Sequence, residues 1–129
     1  MNAGSSNGGG VRVAITGLGA VTPLGLDVAS TWDSCRQGRS GISSIESFDA
    51  SALPTRIAGE IKAFDPEAAI GKKETRRSSR NIQLALVAAR EAISDAQLDV
   101  AAIAEDVGVL VASGVGGLEV LERAVLTLR

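Results

Sequence analysis

Gly17-Leu-Gly-Ala-Val-Thr22 offers two glycines between an apolar run and a helix start. In such a loop the bare backbone N–H groups can cradle a phosphate. A dinucleotide site needs a third glycine so that helix and strand can approach closely, and Thr22 stands in that place. Pro23 follows at once and removes a backbone donor where a pyrophosphate would need one. No acidic residue closes a second apolar strand about twenty residues on, where a ribose would be held. A dinucleotide-binding domain is therefore the weakest function this loop allows.

Three further clusters could do chemistry. Cys35 is the one cysteine, and the chain has no histidine. A reactive thiolate needs a basic activator and an exposed position. Cys35 instead falls near the end of a helix, on the face of Val28 and Trp32, where it is expected to be a buried hydrophobe. Lys72-Lys-Glu-Thr-Arg-Arg-Ser-Ser-Arg80 places five cations within nine positions. At the start of a long helix such charge opposes the macrodipole, a mildly costly placement that points to an anionic partner as readily as to a solvated face. Ser113-Gly-Val-Gly-Gly117 is a second glycine turn after an apolar run, where ligands of α/β sheets tend to sit and where a plain tight connection serves equally well.

The elements that must position these clusters follow from the pattern. Residues 1–10 read as a disordered tail. Val11 to Ile15 reads as a buried strand. Asp27 can cap a helix that ends at Gly38. Residues 39–56 look irregular, and Ile57 to Ile61 can form a short strand. Asp65-Pro66-Glu67 is a helix start. A long helix is expected from about Glu74 to Ala96, with Ile82, Leu86, Ala89 and Ile93 on one stripe. Val107 to Ala112 is continuously apolar, as suits a central parallel strand. A last helix begins near Leu118 and still has helical pattern at Arg129, which points to a truncated chain. The order predicts an α/β fold with a mostly parallel sheet and flanking helices.

Composition narrows the classes. Apolar residues make up 45% of the chain, aromatic residues 2%, and the net charge is −2. A core of close-packed aliphatic side chains is expected, burying about two thirds of the unfolded surface. Nothing in the charge calls for nucleic acid or an anionic membrane. No metal-ligand spacing, signal peptide or membrane-length apolar run is present, and a soluble cytoplasmic protein without cofactor or metal is expected.

In order and spacing, several stretches resemble the β-ketoacyl-acyl carrier protein synthase II family of condensing enzymes. They are Arg12-Val-Ala-Ile-Thr-Gly-Leu-Gly-Ala-Val-Thr-Pro-Leu-Gly25, Ser30-Thr-Trp32, Gly38-Arg-Ser-Gly-Ile42, Phe48-Asp-Ala50, Phe64-Asp-Pro66, Lys72-Lys-Glu74, Ile82-Gln83, Ala88-Ala-Arg-Glu-Ala92 and Ser113-Gly-Val-Gly-Gly-Leu118. The resemblance covers nearly everything from Val11 onward. It implies a thiolase-like αβαβα fold, of which residues 11–129 would be an incomplete first half, and a homodimer in the full-length family. It implies elongation of fatty acyl chains by decarboxylative Claisen condensation with malonyl-acyl carrier protein. The family's nucleophilic cysteine, two histidines and lysine align with no residue of this chain. No catalytic residue is carried over, Cys35 included, and the chain alone is expected to be inactive.

Two carry-overs remain. Lys73, Arg76 and Arg77, with Lys72 beside them, align with the basic patch on which the family docks acyl carrier protein. Val115 aligns with a position, commonly isoleucine, at the floor of the acyl pocket, where valine leaves slightly more room. The chain departs from the family at Ser78-Ser79, usually Met-Asp, and at Asn81, commonly aromatic. A non-catalytic partner that docks carrier protein or pairs with a complete synthase is the alternative function.

Overall fold

The computed structural model describes residues 12–128, so the expected tail at 1–10 lies outside the described residues. Helix α1 spans Val28–Arg36 and is capped by Asp27, whose carboxylate accepts the Ser30 backbone N–H at 2.6 Å. Gly38, with φ of 67°, closes it in the left-handed region. Strands β1, Ser43–Ser44, and β2, Ile57–Ala58, form an antiparallel pair. Helix α2 covers Pro66–Ile70 behind the cap Asp65, α3 covers Lys72–Arg77, and α4 covers Arg80–Asp95. A 3-10 turn at Ala104–Asp106 leads to α5, Leu118–Thr127.

The described residues do not show the expected parallel sheet. Residues 12–15 and 107–112 carry no strand, and the one sheet among the described residues is the β1–β2 pair. The physical reason is pairing. An apolar run of strand length becomes a strand only when neighbours accept and donate along its backbone, and neither run has one among the described residues. Val13 and Ile15 are 89% and 83% exposed, and Leu110 is 96% exposed. Nor does the region at 39–56 remain wholly irregular, because β1 falls within it. The expected strand at 57–61 shortens to two residues.

The long helix expected over 74–96 is two helices. Ser78 is extended, with φ −116° and ψ 142°, and separates α3 from α4. Its hydroxyl donates to the Glu74 carbonyl at 2.6 Å, the local bond by which serine competes with helix continuation. Gln83, 7% exposed, then donates from Nε2 to the Thr75 and Ser78 carbonyls at 3.1 and 2.9 Å. It satisfies carbonyls that the end of α3 leaves open. The core is small. Ala50, Phe64 and Ile70 are its buried apolar residues, with α2 packed on α3 and α4. The chain exposes 10538 Å², where a compact monomer of this mass would expose about 6,400 Å². Burial of about two thirds of the unfolded surface is not reached.

Candidate functional site

The glycine turn sits directly on α4. A Cβ at Gly17 would land on the Ala92 carbonyl oxygen, and one at Gly19 on the Ala88 carbonyl. Both glycines are thus spent on backbone-to-backbone contact with a helix. Two donors of the turn are already taken. The Leu18 N–H donates to Asp95 Oδ2 at 2.9 Å, and the Ala20 N–H donates to Glu91 Oε2 at 2.8 Å. The other Glu91 oxygen accepts from the Val28 N–H, the first of α1, at 2.8 Å. Two carboxylates of the chain itself therefore fill the place a pyrophosphate would take. Thr22 serves the turn as well: its hydroxyl accepts from the Leu24 N–H at 3.1 Å and lies 3.0 Å from the Thr31 hydroxyl.

Glu91 and Asp95 were not singled out by the motif. Their signal was available in the sequence as two acids one turn apart on the helix face that carries Ala88, Ala92 and Ala96. What the sequence lacked was the address, since the bonds they accept span 63 to 77 positions.

Cys35 is exposed, not buried. Trp32, on the same face, is 64% exposed, because no described element covers that side of α1. The residue α1 buries is Ser34, whose hydroxyl donates to the Leu24 carbonyl at 2.9 Å.

Lys72, Lys73, Arg76 and Arg77 come together on α3 around one shallow surface depression, and all four are exposed. None is neutralised: among the described residues the one salt bridge is Lys62–Glu46 at 2.6 Å. The structure also changes an electrostatic premise. Arg76 and Arg77 lie in the last turn of α3, not at the start of a longer helix. Positive charge is favoured there, so the dipole cost remains only at Lys72 and Lys73, which open the helix. What remains is a compact patch of uncompensated cations.

Arg80, the fifth cation, belongs to the scaffold. Its guanidinium lies 4.8 Å above the Phe64 ring and donates to the Ile61 carbonyl at 2.8 Å. Its backbone N–H donates to Glu119 Oε1 at 2.9 Å, which fastens α5 to the head of α4. That bond holds the Glu119 carboxyl below the usual carboxylate range. The second glycine turn is a tight connection. Gly117, with φ of 73°, caps α5, and a Cβ on Gly116 would collide with the Asn81 amide. Val115 is 73% exposed, so an acyl pocket at this position needs walls from outside the described residues.

Residues 11–128 match the family model described as β-ketoacyl synthase, N-terminal domain. The chain belongs to the β-ketoacyl synthase family. A 3-oxoacyl-[acyl-carrier-protein] synthase 2 of Staphylococcus aureus (strain MRSA252) is 47% identical over 115 residues, covering 88% of this chain and 28% of that protein. The protein of the same name from Synechocystis sp. is 43% identical over 112 residues, covering 86% of this chain and 27% of its own length. The chain thus spans a little over a quarter of these synthases. The family's N-terminal domain implies a thiolase-like α/β fold, of which the described residues show the helices and the glycine turn. No helix among them is long and apolar enough to cross a membrane.

Proposed function

We propose that this chain is the N-terminal part of a cytoplasmic, homodimeric β-ketoacyl-acyl carrier protein synthase that elongates fatty acyl chains. In the whole enzyme a cysteine thiolate takes the acyl group from its carrier. Malonyl-carrier protein loses carbon dioxide, and the resulting carbanion attacks the acyl-enzyme thioester. This chain contributes scaffold and docking. Lys72, Lys73, Arg76 and Arg77 receive the acidic surface of acyl carrier protein, and Val115 belongs to the floor of the acyl pocket. The observation that carries the docking role is the cation patch on α3 without salt-bridge partners, supported by the chain's similarity to 3-oxoacyl-[acyl-carrier-protein] synthases.

Titration of the chain with apo acyl carrier protein tests it. The Arg76→Glu/Arg77→Glu variant is expected to weaken binding at least about tenfold, the loss of two exposed attractions and the gain of two repulsions. Unchanged affinity in that variant would overturn the docking site. The chain alone is expected to show no condensing activity, because it has no histidine to activate its one cysteine or to stabilise a developing oxyanion. Acyl transfer by the purified chain, lost on Cys35→Ala, would contradict this.

A non-catalytic partner of a complete synthase is the second reading. The exposed apolar runs around Val13 and Leu110 favour it, since both could pair with strands of another chain. Co-elution with a full-length synthase, absent when that synthase is omitted, would separate it from the first.

A further inference from the structure

The cation patch does not end at α3. Arg123 lies one helical turn beyond Glu119 on α5, so both side chains leave the same face. Glu119 is pinned by the Arg80 N–H at 2.9 Å, and this bond sets α5 against the junction of α3 and α4. Arg76, Arg77, Gln83, Glu119 and Arg123 consequently line one cleft. Arg80 also lines it, with its guanidinium held by the Phe64 ring and the Ile61 carbonyl. Glu119 and Arg123 form no salt bridge, although, after the Arg80 N–H, the nearby Arg123 charge is a minor contributor to the lowered Glu119 carboxyl. The cleft therefore has arginines on two walls and one carboxylate, of which one oxygen is already bonded to the scaffold.

We infer that Arg123 is a further docking residue, and that Glu119 is the positioning residue that brings it opposite Arg76 and Arg77. The occupant is the acidic helix of acyl carrier protein, so the inference rests on the docking role proposed above. An acidic helix lying in the cleft meets guanidinium groups from both sides, whereas one lying on α3 alone meets cations from below only. Recognition then depends on α5, some forty positions further along the chain, being correctly seated.

The experiment is titration of the full chain and its variants with apo acyl carrier protein. Arg123→Glu is expected to weaken binding about fivefold, the effect of an exposed attractive pair turned repulsive, while Arg123→Lys retains most of the affinity. Glu119→Ala decides the positioning role. It removes a negative charge from a surface that binds an acidic partner, so simple electrostatics requires tighter binding. Loss of α5 seating requires weaker binding, and no further loss when combined with Arg123→Glu. Glu119→Gln keeps an acceptor for the Arg80 N–H and is expected to restore affinity. Amide exchange at Arg80 reports whether α5 is seated in each variant. Full affinity in Arg123→Glu, with the Arg76→Glu/Arg77→Glu loss intact, would overturn this inference and leave the docking role standing. Full affinity in both would overturn both. Tighter binding in Glu119→Ala would overturn the positioning role.

Discussion

The glycine turn and the α3 patch are opposite answers to an electrostatic demand. At the turn, the N–H groups of Leu18, Ala20 and Val28 call for negative charge, and α4 supplies it with Asp95 and Glu91. At the patch, Lys72, Lys73, Arg76 and Arg77 call for negative charge, and no acid of the described residues pairs with them. A demand met within the chain makes scaffold. A demand left open makes a surface for something else. The motif that looked most like a ligand site is the closed one.

The contrast can be tested by mutation, starting where the effect is greatest. Gly19→Ala drives a Cβ into the Ala88 carbonyl and is expected to cost about 3 kcal/mol, read as a fall in the urea midpoint. Glu91→Ala leaves the Ala20 and Val28 N–H groups without a partner. A loss of about 2 kcal/mol is expected, with faster amide exchange at both positions. Added sulfate should recover part of that loss in Glu91→Ala and none in the parent, since it can enter only a vacated cradle. The acid dependence of α5 is smaller. The Glu119 carboxyl is held below its ordinary range by the Arg80 N–H. Its contribution is complete above the ordinary carboxylate value and is lost as pH falls through the depressed one. Exchange at the Arg80 amide, corrected for intrinsic rate, should therefore accelerate on acidification below the carboxylate range. The smallest effect on stability is expected at the patch. Arg76→Glu/Arg77→Glu should shift unfolding by no more than about 1 kcal/mol, because exposed charges near a helix end contribute only tenths each. A collapse of the fold in that variant would mean the cations are scaffold after all.

Local signals in the sequence were reliable where the physics is local. Asp27, Gly38, Asp65-Pro66 and the start of α5 near Leu118 each stand where their backbone preferences put them. Two kinds of feature were hidden. Val11 to Ile15 and Val107 to Ala112 have the composition of buried strands, but composition records the burial a segment is suited to, not the partner it has. Among the described residues that partner is missing, and the apolar side chains of 12–15 and 107–112 face solvent. The break at Ser78-Ser79 was the other. Residues 72–81 carry no apolar residue, so periodicity is silent across the break. Only the serine hydroxyl bonded back to Glu74 and the amide of Gln83 show two. At the candidate site, the four cations were legible as a cluster, while their division between the two ends of a short helix was not.

Gln83 carries a consequence of its own. It is neutral and buried, and its two bonds to the Thr75 and Ser78 carbonyls work as a strut across the joint between α3 and α4. The angle of that joint is the angle at which the lysines and arginines meet an incoming surface. An uncharged amide thereby sets the aim of the charged groups. Replacing it with leucine would leave every charge in place and turn the patch to a different bearing.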